Sequence, residues 1–167
     1  RAESLPEEQQ LLRILDEVVA AREDAQPQVG WGEYQVRRFQ GFLYLTDSRW
    51  SPPKGRLCWD AQQPLRLPFG TLSANTGIGE GISLKKIGKV EIGFRLGGER
   101  ITPVGRAGSR SLKKLLQEAL VPPWQRTLIP LLYIDGELAQ VCGHWVIEGF
   151  QAAPDEASVR FDWQTNF

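Results

Sequence analysis

Four cations crowd one stretch of this sequence. Arg106 lies in the loop Gly105-Arg106-Ala107-Gly108-Ser109, Arg110 follows it, and Lys113 and Lys114 come within the next helical turn. Backbone N–H groups at a helix start, with Gly and Ser before them, suit an anion. Phosphate would satisfy those N–H groups and the cations together. Cations spaced along one helix face suit a nucleic-acid backbone better than a single nucleotide. Arg95 and Arg126 bracket the stretch, and Arg37 with Arg38 forms a second, weaker basic point. Residues 95–126 carry a net charge of +5 in a chain whose total is zero, and residues 127–167 carry −5. A local basic patch on a neutral protein favours a negatively charged partner met at one place. The alternatives are a solvated face, or a protein-interaction module whose basic helix meets an acidic partner such as segment 127–167 of a second copy. A homodimer is left open.

Other chemistries find no residues to carry them. There is no GxxxxGK[ST] loop. Ser109 and Ser111 have no His close in sequence, and Ser109 reads as a helix cap. The acid pairs Glu23-Asp24 and Asp155-Glu156 sit in polar segments with nothing to shift a pKa. His144, in a strand-like run, reads as structural, and Trp124 and Trp145 read as core anchors rather than base platforms. Cys58 and Cys142 are too far apart for metal-ligand spacing and read as reduced, buried thiols of a cytosolic protein. No catalytic residue, metal ligand or resident cofactor is assigned. No apolar run reaches the roughly 18 residues that cross a membrane, and no basic stretch followed by an apolar one reads as a signal peptide, so no signal peptide and a cytoplasmic place are expected. The chain of 167 residues has no Met, which suggests a piece of a longer polypeptide.

These side chains need elements to hold them. Ser4-Leu5-Pro6-Glu7 fits a capping box, and Leu11, Ile14, Leu15, Val18 and Val19 form an apolar stripe, predicting a helix that ends near Asp24. Residues 33–46 read as a hairpin turning at Gln40-Gly41, and 47–55 as a Pro-rich loop. Short strands are expected at 64–68, 71–75 and 82–87, and a half-buried strand over Val90, Ile92, Phe94 and Leu96. A helix at 110–120 divides cleanly. Leu112, Leu115, Leu116, Ala119 and Leu120 share one face, opposite Arg110, Lys113, Lys114 and Gln117. Pro122-Pro123 stop it, and Pro123–Arg126 can start a second short helix. Asp135-Gly136 between apolar runs predicts a type I′ hairpin, and Val159, Phe161 and Trp163 a last strand. The fold class is α+β in two small units. An N-terminal helix with a small antiparallel sheet occupies 1–88, and a β-α-α-β-β-β domain occupies 89–167.

The run Gly105-Arg106, Ser111–Glu118, Val121-Pro122-Pro123-Trp124-Gln125-Arg126 and Pro130–Tyr133 resembles the C-terminal domain of bacterial tRNA(Ile)-lysidine synthases. The family's pattern there is "GR…KLKK…QE…VPPW.R…PLL". Glu17–Ala25 and Tyr34–Phe39 are similar to the end of that family's substrate-binding domain, and Phe161–Gln164 to its tail. The resemblance implies an ATP-dependent ligase that adenylates C2 of the wobble cytidine of tRNA(Ile) with a CAU anticodon. The L-lysine amine then displaces AMP. The family's ATP loop, SGGxDS in an N-terminal domain that uses ATP and Mg, does not occur in this sequence. The chain therefore looks like a noncatalytic tRNA-recognition part, engaging the tRNA body and its acceptor stem. Carried onto matching positions, the resemblance makes Arg106, Lys113, Lys114 and Arg126 contact residues, with Gly105, Pro122, Pro123 and Trp124 as their scaffold. Leu120 stands where many members have Gly, so Pro122 alone is expected to end the helix.

Overall fold

The computed structural model describes residues 5–22 and 25–166. Ser4 of the expected capping box and Asp24 at the expected helix end lie outside them. The chain forms two compact units that divide between Trp50 and Ser51.

In the first unit, helix α1 (Glu8–Arg13) runs on as a wider π-helical turn over Ile14–Val19. The Ala20 N–H reaches the Leu15 carbonyl at 3.1 Å, closing that turn. Three antiparallel strands follow: β1 (Gln28–Trp31), β2 (Tyr34–Phe39) and β3 (Phe42–Asp47), in spatial order 1-2-3. Gln40 and Gly41 take φ 50° and 78° between β2 and β3, the two-residue turn expected from the sequence. Only part of the expected helix stripe is used. Ile14 and Val18 pack with Val29, Trp31 and Val36, whereas Leu11, Leu15 and Val19 remain exposed.

In the second unit come β4 (Leu57–Cys58), β5 (Leu65–Leu67), β6 (Gly70–Ile78) and β7 (Ile82–Ser83), then a 3₁₀ turn over Leu84–Lys86. Next are β8 (Val90–Gly93), β9 (Arg100–Ile101), β10 (Arg110–Ser111) and helix α2 (Leu112–Glu118). The chain ends with β11 (Leu131–Ile134), β12 (Glu137–Val141), β13 (Trp145–Val146) and β14 (Ala157–Thr165). One sheet has five strands, ordered β13-β12-β11-β8-β4, and another has four, ordered β5-β6-β14-β7. The expected boundary at 88/89 is therefore displaced. β4 pairs with β8, and β6 pairs with β14 from Gly70↔Thr165 to Ile78↔Ala157. Strands near residues 57–83 are completed by partners beyond residue 89, pairings that no local pattern announces.

Other differences are local. The segment 123–126 is not a second helix but a pair of tight turns, Gln125 N–H to Pro122 O at 3.0 Å and Leu128 N–H to Gln125 O at 2.9 Å. The strand expected through Leu96 stops at Gly93, and Leu96 is 97% exposed beside Gly97 and Gly98, both at positive φ. His144 sits in the turn between β12 and β13. Cys142 is buried as expected, but Cys58 is exposed. The Asp135-Gly136 hairpin forms as read, joining β11 to β12 with φ of 49° and 88°.

Candidate nucleic-acid interface

Helix α2 is held by its apolar face. Leu112, Leu115 and Leu116 are fully buried against Ile101, Val121, Ile129, Leu131 and Val141. Spacing of three and four residues puts all three leucines on one side, which turns Lys113 and Lys114 to solvent. Arg110, just before the helix, is also exposed. Among the described residues, no carboxylate pairs with Arg110, Lys113 or Lys114. Arg106 is less free. Its Nη1 lies 3.3 Å from Glu118 Oε2, and its guanidinium carbon stands 6.0 Å from the centre of the Trp145 ring. Both partners of that ion pair are exposed, and such pairs contribute about 1 kcal/mol or less, so an incoming phosphate can displace the carboxylate.

The anion site expected at the helix start does not form as read. Leu112 donates its N–H to the Glu99 carbonyl at 2.9 Å. Ser111, not Ser109, is the N-cap residue, and its side chain caps nothing. Ser109 instead accepts Arg100 Nε on its hydroxyl at 3.3 Å and Arg100 Nη2 on its carbonyl at 2.7 Å. The positive charge of this face comes from its side chains rather than from free backbone N–H groups. Gly105, at φ 77°, lets the loop turn where a side chain would be strained.

The remaining cations named from sequence are committed elsewhere. Arg95 is nearly buried and lies 3.4 Å from Glu99. Burial raises the Glu99 carboxyl, but the N–H groups of Gly97 and Leu96, with Arg95, outweigh it and hold the group below its ordinary value. Arg126 donates Nε to the Val121 carbonyl at 2.8 Å, and burial, with Arg95 as a like-charged neighbour, lowers its pKa. It braces the end of α2. Arg37 is half-buried on Gln35 Oε1 at 2.7 Å. Arg38 ties down the helix end of the first unit, donating to Val19 O at 2.6 Å, to Arg22 O at 2.8 Å and to Ala21 O. A guanidinium reaches carbonyls this way with five donors, and sequence spacing does not reveal it.

Helix α2 also ends otherwise than expected. Leu120 takes φ 54°, its N–H bonds Gln117 O at 3.0 Å, and the Val121 N–H bonds Leu116 O at 3.0 Å. That pair of bonds is a Schellman closure with Leu in the place glycine usually fills. Pro122 follows the stop and does not make it. Pro122 is buried and Pro123 and Trp124 are half-buried, consistent with a scaffold. A left-handed L-residue costs about 1–2 kcal/mol, and Leu120 is 59% exposed, so little packing offsets the strain. Leu120→Gly is expected to stabilise the unit by about 1 kcal/mol, raising Tm by about 4 °C. Calorimetry checks this, and an unchanged or lower Tm would show that the position is unstrained.

A second lysine pair escaped the sequence reading. Ser83-Leu84-Lys85-Lys86 repeats the four residues of Ser111-Leu112-Lys113-Lys114. The two serines share a backbone conformation, φ −56°, ψ 130° and φ −65°, ψ 125°, each at a strand-to-helix junction. Their surroundings differ. Lys85 lies 3.1 Å from Glu156, whose carboxyl is held at about 2 by the Ala153 N–H, the Ser83 hydroxyl and Lys85. The repeated tetrapeptide was the available signal, but only the fold shows which copy faces a carboxylate.

Comparison with known proteins finds a family match in each of the two units. Residues 1–44 match the family model described as "TilS substrate binding domain", and residues 90–163 the one described as "TilS substrate C-terminal domain". The chain is 37% identical over 156 residues to a tRNA(Ile)-lysidine synthase of Coxiella burnetii, covering 91% of this chain and 35% of that protein. It is 38% identical over 164 residues to the Serratia proteamaculans protein of the same name, covering 96% and 37%. The chain thus spans about a third of the length of these relatives. A crystal structure titled as a TILS C-terminal domain superposes with a TM-score of 0.53 at 18% identity, over 68% of this chain and 99% of that one, and shares the fold.

Proposed function

The chain belongs to the tRNA(Ile)-lysidine synthase family, and from that premise we propose that it is a noncatalytic tRNA-recognition part of such a ligase. The carrying observation is the exposed face of Arg106, Arg110, Lys113 and Lys114, backed by three buried leucines and opposed, among the described residues, only by Glu118. Four spaced cations on a rigid helix and loop meet successive phosphates of an RNA stem, reading A-form shape rather than base sequence. The partner is tRNA(Ile) with a CAU anticodon, contacted through its body and acceptor stem. ATP, Mg and L-lysine act in the family's SGGxDS domain, a motif that does not occur in this sequence, and no step of the ligation is routed through these residues.

The test is a filter-binding titration of a tRNA(Ile) transcript against salt. Each phosphate contact contributes about 0.7–0.9 to the slope of log K against log salt, so four contacts give a slope of about −3. An affinity indifferent to salt would refute the phosphate face.

A further inference from the structure

The second unit holds a cleft of about 280 Å³ that the basic face does not use. It is lined by Trp59 and Val90 together with Ala74, Thr76, Val159 and Phe161 from β6 and β14. Asp60-Ala61 and Ile87-Gly88 also line it. The Trp59 ring is fixed. It meets Phe161 edge-on at 5.9 Å, and its Nε1–H donates to Gln63 O at 2.9 Å. Ala61 is held at φ 60°, left-handed backbone in a residue that is not glycine. Strain of this kind gathers at ligand clamps. Asp60 is exposed, and its Oδ1 accepts the Gln62 N–H at 3.0 Å, which orients the carboxylate. Lys86, exposed, and Lys89, whose Nζ lies 3.0 Å from Glu91 Oε1, flank Ile87-Gly88.

Size and chemistry narrow the occupant. The volume falls just below the roughly 300 Å³ at which pockets for drug-sized ligands begin, so one ring system fits. Aromatic and aliphatic walls suit a flat heterocycle. A single carboxylate suits one bearing an amino group. Lys86 beside the lining suits a ligand that carries an anion next to that ring.

We propose that this cleft binds one unstacked, amino-bearing nucleobase of single-stranded RNA, with the exocyclic amine on Asp60 and the adjoining phosphate at Lys86. The choice of RNA rests on the function proposed above; the cleft itself does not involve Lys113 or Lys114. Proteins read splayed RNA bases through such apolar slots and their hydrogen-bonding edges. Uracil, with a carbonyl in place of the amine, turns an oxygen toward the carboxylate and is disfavoured.

The probes are cytidine 5′-monophosphate and uridine 5′-monophosphate, titrated into the ¹⁵N-labelled chain while the Trp59 indole N–H resonance is followed. The cytidine nucleotide should move that resonance at millimolar concentration, and the uridine nucleotide should bind about tenfold more weakly. Thr76→Phe, at an exposed lining position, should abolish the response. Asp60→Asn should narrow the gap between the two nucleotides. The Lys113→Glu/Lys114→Glu chain should respond as the unaltered chain does. A silent Trp59 resonance, equal responses to both nucleotides, or an undiminished response in Thr76→Phe would overturn the proposal. A silent resonance in a chain that keeps its tRNA salt slope condemns the cleft alone. A flat salt slope condemns the RNA reading on which the choice of ligand depends.

Discussion

Reversing Lys113 and Lys114 to Glu is expected to weaken tRNA binding about 30-fold or more at 0.1 M salt, and to make the salt slope shallower by about 1.5. The figure follows from counterion release: at about 0.7–0.9 per contact, each lost phosphate removes nearly a log unit of affinity at that salt. Both lysines are exposed, and the leucines that anchor α2 lie on its other face. The double change should therefore leave stability within about 0.5 kcal/mol, as surface substitutions usually do. Filter binding across a salt series, beside a melting curve of the variant, separates the two effects. Retained affinity in a folded variant would remove α2 from the contact surface. The second lysine pair supplies a control. Lys85 already faces Glu156, so Lys85→Glu should change the slope much less.

The largest stability effect is expected from Leu116→Ala. Leu116 is fully buried, and its carbonyl receives the Val121 N–H that closes the helix. Truncating a buried leucine costs about 2–5 kcal/mol, transfer and cavity together. That is a large share of the roughly 5–15 kcal/mol that holds a domain together. The denaturant midpoint should fall steeply, and tRNA binding should fall with it, because the lysines ride on the helix this residue anchors. A loss below about 1 kcal/mol would mean that α2 is not held by its inner face. Loss of binding with loss of fold here, and without it in the lysine variant, distinguishes support from contact.

Much of the local architecture was readable. The spacing in α2 assigned Leu112, Leu115 and Leu116 to its inner side and Lys113 and Lys114 to solvent, because a helix repeats every 3.6 residues whatever surrounds it. Ala119 and Leu120, read on the same apolar face, lie past the helix end and are exposed. Gln40-Gly41 and Asp135-Gly136 marked their hairpins, because positive φ admits few residue types. The basic face and the family were both in the order of residues between Gly105 and Tyr133. The roles of individual arginines were not readable. Arg38, Arg95 and Arg126 have the same type and comparable spacing to Arg106 and Arg110, yet they are spent on carbonyls and on Glu99. Leu120 shows the converse. Its residue type argued against a left-handed closure, yet the backbone takes one, with the Leu120 and Val121 N–H groups bonded to Gln117 O and Leu116 O.

What the sequence by itself determined is periodicity, turn chemistry and charge along the chain, because each depends on neighbours within a few residues. The tertiary structure decided where the units divide, which cations remain free, and that a cleft lies beside Trp59. Each of those depends on groups brought together across the chain, as β6 is by β14, and such contacts leave no mark on local spacing.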